Sequence, residues 1–87
     1  MKIKELIDIE YKGWYVESTY DNKIILKSDY TKDILAEIYI TLEKENYVIV
    51  SYSSSNGEGV FFYGSNITSE EVSERTVIAA DEYFDYE

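Results

Sequence analysis

Ile34, Ala36, Ile38, Ile40 and Leu42 alternate with Leu35, Glu37, Tyr39, Thr41 and Glu43, the period of two that a strand with one buried and one solvated face requires. The spacing predicts a strand from Ile34 to Glu43 with five aliphatic side chains on its core side. Upstream, β-branched and aromatic residues from Trp14 to Tyr20 and again from Lys23 to Lys27 flank Asp21-Asn22, which predicts a hairpin with a tight turn. Ser28 to Asp33 reads as a polar connection. Downstream, Lys44-Glu45-Asn46 turns the chain into a strand from Tyr47 to Ser53. Ser54-Ser55-Asn56-Gly57-Glu58-Gly59 reads as a longer loop before a last strand, Val60 to Tyr63. Five antiparallel strands in meander order are the sum.

The chain's two ends carry a different period. Ile3, Leu6, Ile7 and Tyr11 recur at helical spacing ahead of Gly13, predicting a short amphipathic helix from Lys2 to Lys12. Near the other end, Thr68 and Glu71 form a capping box, with Ile67 and Val72 placed to staple across it. A helix from Ser69 to about Tyr86 follows. On its wheel Val72, Thr76, Ala79, Ala80, Tyr83 and Phe84 make one stripe for the sheet, and Glu70, Glu74, Asp81 and Asp85 line the opposite side, with Glu71 and Glu82 beside them. The expected fold is α+β, one domain over residues 1–87, with the acidic helix packed on one face of the sheet.

Composition narrows the function classes. A chain of 87 residues holds one core, and an apolar content of 45% with 16% aromatic residues is enough to fold despite the net charge. There is no cysteine, hence no disulfide staple and no thiolate metal site, so a cytoplasmic setting is expected. Met1-Lys2-Ile3-Lys4-Glu5 meets Asp8 and Glu10 before any apolar run builds, so neither a signal peptide nor a membrane anchor is expected there. With histidine also absent, Ser-His and Cys-His nucleophile arrangements and histidine metal sites are excluded. The remaining carboxylate, lysine and tyrosine chemistry needs a desolvated cleft, and the acids fall on exposed faces and turns. No catalytic residue, metal site or cofactor is therefore expected. Asp29-x-Thr31-x-Asp33 opens like a calcium loop but has Ile34 where that loop needs glycine and Ile40 where it needs glutamate.

The net charge of −10 is unevenly spread: six Lys oppose seven acids in residues 1–33, one Lys opposes four in 34–66, and one Arg opposes seven in 67–87. Such a field repels nucleic acid and anionic membrane and attracts basic surfaces. Glu70 to Glu74 and Asp81 to Asp85 each span four residues, about 6 Å along a helix axis, similar to the phosphate spacing along a nucleic-acid strand. Asp81, Glu82 and Asp85 lie at the end where the helix dipole disfavours acid. Ten tyrosines add candidate contact surface, Tyr39, Tyr83 and Tyr86 among them on or near acidic elements. The candidate partner-binding set is thus Glu70, Glu71, Glu74, Asp81, Glu82, Asp85, Tyr86, Glu87 and Tyr39.

Small size, no cysteine, a tyrosine-rich sheet and this acidic terminal helix make the chain resemble, at the level of class, the small phage-encoded inhibitors of bacterial defence: anti-CRISPR proteins and other DNA mimics. The resemblance rests on Glu70, Glu71, Glu74, Asp81, Glu82, Asp85 and Glu87. It implies a non-enzymatic inhibitor, in the host cytoplasm, acting on a protein with a basic nucleic-acid-binding surface such as a CRISPR effector nuclease. No direct binding of nucleic acid or membrane is implied, and monomer and dimer both stay open. Two other readings fit the same residues: an immunity protein or antitoxin against a basic toxin, and a structural module that self-associates through the exposed face of its sheet.

Overall fold

The computed structural model describes residues 1–84. It contains a short helix α1 (Ile3–Ile7), strands β1 (Tyr15–Thr19), β2 (Lys23–Lys27), β3 (Glu37–Glu43), β4 (Tyr47–Ser54) and β5 (Gly57–Ser65), and a long helix α2 (Ser69–Tyr83). The strands form one antiparallel sheet in the order β1-β2-β3-β4-β5, the expected meander. The register stacks Ile24, Ile40, Val50 and Phe62 in one row across the sheet and Leu26, Ile38 and Tyr52 in the next. Ile24, Leu26, Ile38, Ile40, Val48 and Val50 are fully buried, and they join Leu6 of α1 with Val72 and Ala80 of α2 in one core. Both helices cover this face. The other face has no helix over it among the described residues.

α1 is shorter than its periodicity predicts. The Tyr11 hydroxyl donates to the Leu6 carbonyl at 2.7 Å, taking the acceptor that the amide of Glu10 would use in a continued helix. The chain then turns at Lys12-Gly13, where Trp14 N–H meets the Tyr11 carbonyl at 2.8 Å and Gly13 takes a φ of +87°, open to glycine without strain. Gly13 therefore makes a tight turn rather than a helix end, and it buries Tyr11 and Trp14 together.

β3 starts at Glu37, three residues after the expected Ile34. Asp33 is the reason. Its Oδ1 accepts the Leu35 amide at 2.9 Å and its carbonyl accepts the Ala36 amide at 3.0 Å, an Asx turn that withholds these donors from the ladder. Ile34 is consequently 85% exposed and Leu35 59%, so Ile34 is no core residue. In the next connection the expected six-residue loop contracts to a tight turn: β4 and β5 stay paired out to Ser54 and Gly57, with Gly57 at a φ of +126°.

α2 begins where its signature places it. The Thr68 hydroxyl accepts the Glu71 amide at 3.2 Å, and Glu71 Oε1 accepts the Thr68 amide at 3.3 Å. Ile67 and Val72 are both buried beside this box. The helix ends at Tyr83, with Phe84 as its cap. Its expected extension through Tyr86, and the candidate residues Asp85, Tyr86 and Glu87, lie outside the described residues. Val72, Ser73, Thr76 and Ala80 form its buried stripe, while Tyr83, assigned to the core by the wheel, is 40% exposed.

Candidate partner-binding surfaces

Glu70, Glu74 and Asp81 fall on the solvent side of α2, and all three are exposed. At 1.5 Å rise per residue, Glu70 and Asp81 stand about 16 Å apart along the axis, with Glu74 between them. Glu71 and Glu82 flank the row, also exposed. Glu71 is partly occupied, because it holds the capping box and faces Arg75 at 3.9 Å. Ile78, 54% exposed, interrupts the row with an aliphatic contact point. The last turn of α2 holds no basic residue, and Asp81 and Glu82 have no ion-pair partner among the described residues.

The row is rigid because α2 is fixed along its length. The capping box and Ile67 hold its first turn. The Ser73 hydroxyl donates to the Glu10 carbonyl, tying its middle to the segment after α1. At the far end Phe84 packs on Trp14 with ring centroids 5.3 Å apart, and Tyr83 packs on Tyr52 at 4.2 Å. A backbone fixed in this way needs no ordering on association, which leaves only side-chain rotamers to settle.

Tyr39 lies elsewhere. It pairs with Ile25 and Ser51 on the uncovered face of the sheet, across the sheet from α2, so the structure does not bring it into the acidic row. Its hydroxyl donates to Glu37 Oε1 at 2.6 Å. That bond to a carboxylate, with burial adding to it, pushes the Tyr39 phenol up to about 12. Around it the uncovered face presents Ile25, Ile49, Tyr47 and Tyr63, the two tyrosine rings 6.1 Å apart, with Lys27 placed between Glu17 and Glu37 at 3.8 and 3.9 Å.

Sequence reasoning missed a third surface. Phe61 is the extra residue of a β-bulge between Phe62, opposite Val50, and Val60, opposite Ser51, so Phe61 and Phe62 both serve the helix side. Tyr52 stacks on Phe61 at 4.6 Å, and Tyr83 meets Phe61 edge-on at 6.0 Å. Tyr52, Val60, Phe61, Ala79, Glu82 and Tyr83 line an open pocket where the edge of β5 meets α2. The Tyr83 hydroxyl beside it pushes the Tyr52 phenol above its ordinary range. The Tyr52 ring also lies over Gly59, where a Cβ would sit 2.7 Å from its hydroxyl.

Asp33, weighed above as part of a calcium loop, does a structural job. Its Oδ2 accepts the Ser55 amide at 2.8 Å and the Ser55 hydroxyl at 3.0 Å, tying the β2–β3 connection to the β4–β5 turn. These amide bonds hold its carboxyl below the usual range. Among the described residues no three acids or other ligating groups converge to hold a metal ion, and no helix is long and apolar enough to cross a membrane. No protein family, curated protein or solved structure matches the chain.

Proposed function

We propose that this protein is a non-enzymatic inhibitor that lays the acidic row of α2 into a basic, nucleic-acid-binding groove of a partner protein, a CRISPR effector nuclease being the kind of target its class resemblance suggests. The observation that carries this reading is the row itself: Glu70, Glu74 and Asp81, exposed on one line of a helix that is packed at its start, middle and end. A groove lined with Lys and Arg to hold phosphates would meet carboxylates at comparable spacing, with association accelerated by the net charge of −10. Ile78, in the middle of the row, supplies apolar contact that a purely electrostatic encounter lacks.

The test is affinity capture with tagged protein at low and high salt, with competitor DNA, followed by the Glu74→Lys/Asp81→Lys variant. Capture of a nucleic-acid-binding protein that DNA displaces, lost in the variant while the fold persists, is the expected result. Undiminished binding by the folded double variant refutes the reading. The uncovered sheet face supports a second reading, self-association, because Ile25, Ile49 and Tyr63 sit on it without cover. Light scattering that returns a monomer at high concentration removes it.

A further inference from the structure

We infer that the free edge of β5, together with the pocket between β5 and α2, is a docking site for an extended protein segment that inserts a lysine or arginine side chain into the pocket. The two edges of the sheet differ. β1 is five residues long, and its Glu17 is tied to Lys27, features that discourage pairing. β5 is nine residues long and has no lysine or proline. Its exposed side chains include Val60 at 55% and Tyr63 at 66%. An added strand here would gain main-chain hydrogen bonds, and every second side chain would turn toward the helix side, where the pocket opens beside Val60 and Phe61.

The pocket's chemistry selects the side chain. Tyr52, Phe61 and Tyr83 present aromatic rings, and Glu82 stands at the rim. The last turn of α2 adds the negative end of the helix dipole with no basic residue of its own to answer it. Aromatic rings and a carboxylate at the negative end of a helix together favour a long-stemmed cation, whose methylenes lie on the rings while its head meets Glu82. Glu58, the one charged residue of β5, favours the same sign. A second copy of this chain is disfavoured, because two β5 edges paired about a two-fold near Phe61 would bring two Glu82 rims together, each on a molecule of net charge −10. The site meets the α2 row only at Glu82: Glu70 and Glu74 take no part.

The experiment titrates the full chain with an eight-residue peptide of alternating valine and arginine, read by fluorescence anisotropy and by amide hydrogen exchange. A peptide with glutamate in place of arginine is the control. Expected are saturable binding of the arginine peptide alone, at least tenfold slower exchange of β5 amides, and at least fivefold weaker binding by Glu82→Gln. The Glu70→Gln/Glu74→Gln variant should bind the peptide as the parent does. Protection at β1 or on the uncovered face, equal binding by Glu82→Gln, equal loss in the Glu70→Gln/Glu74→Gln variant, or no binding at all would each overturn the inference. The outcome is independent of the partner capture above, since the peptide assay needs no nucleic-acid-binding protein.

Discussion

Thr76 offers the sharpest test of how α2 packs. Its side chain is fully buried against the sheet between Val72 and Ala80, and among the described residues its hydroxyl has no hydrogen-bond partner. Valine has the same shape, the same stiffness at χ1 and a similar helix propensity, so Thr76→Val exchanges an unpaired hydroxyl for a methyl and little else. An unpaired buried hydroxyl costs about 1–3 kcal/mol in protein mutational series. Taking the lower half of that range, the variant should gain about 1–2 kcal/mol. For a domain of this size each kcal/mol moves the melting temperature by about 4–8 °C, so a rise of about 4–16 °C is expected by circular dichroism at 222 nm. Urea melts should show a higher midpoint at unchanged slope. Thr76→Ser is the control: it keeps the hydroxyl and deletes a buried methyl, and should lose about 1 kcal/mol. A Thr76→Val melting temperature at or below that of the parent would refute the reasoning, for it would mean that the hydroxyl is satisfied or that the packing leaves no room for a methyl.

Gly59→Ala places a Cβ 2.7 to 3.0 Å from three atoms of the Tyr52 side chain, whose ring already stacks on Phe61 and packs tilted against Tyr83; a loss of about 1–3 kcal/mol with an altered near-ultraviolet dichroism signal is expected, and parent-like stability would contradict the close approach. Thr68→Ala removes the acceptor for the Glu71 amide and should cost about 1 kcal/mol in urea, while Thr68→Ser should keep most of that stability. Asp33→Asn tests the tether to Ser55. The folded Asp33 carboxyl is held low, so its stabilisation is complete above the unfolded value of about 3.9 and fades as pH falls through the lower folded value. Parent and variant urea midpoints should differ at pH 7 and converge toward pH 2; a gap independent of pH would count against the charged tether.

The meander was legible because its signals are local. Ile38 and Ile40 alternate with Glu37, Tyr39 and Thr41 within one strand, Thr68 and Glu71 stand three residues apart, and both patterns survive folding unchanged. The structure departs from the pattern where a side chain captures a nearby backbone group. Tyr11 took the Leu6 carbonyl and ended α1 early; Asp33 took the Leu35 amide and pushed Ile34 into solvent. Neither event changes hydrophobic periodicity, so periodicity could not register it. The Asn56-Gly57 dipeptide carries a tight-turn signal, which the polar run around it obscures.

The two candidate surfaces divide along the same line. Glu70, Glu74 and Asp81 share one helix, and helical spacing alone aligns them, which is why a wheel finds the row. The β5 pocket draws Tyr52 from β4, Val60 and Phe61 from β5, and Ala79, Glu82 and Tyr83 from α2, and it needs the bulge at Phe61 to turn two adjacent phenylalanines to the helix side. A bulge adds one residue without altering composition or local polarity, so the aromatic cluster appears only once the register is known. Glu82 belongs to both surfaces. On the wheel it is one more acid beside the row, whereas in the fold it is the one acid of α2 at the rim of the aromatic pocket, and there a single carboxylate can discriminate between partners in a way that an extended charged face cannot.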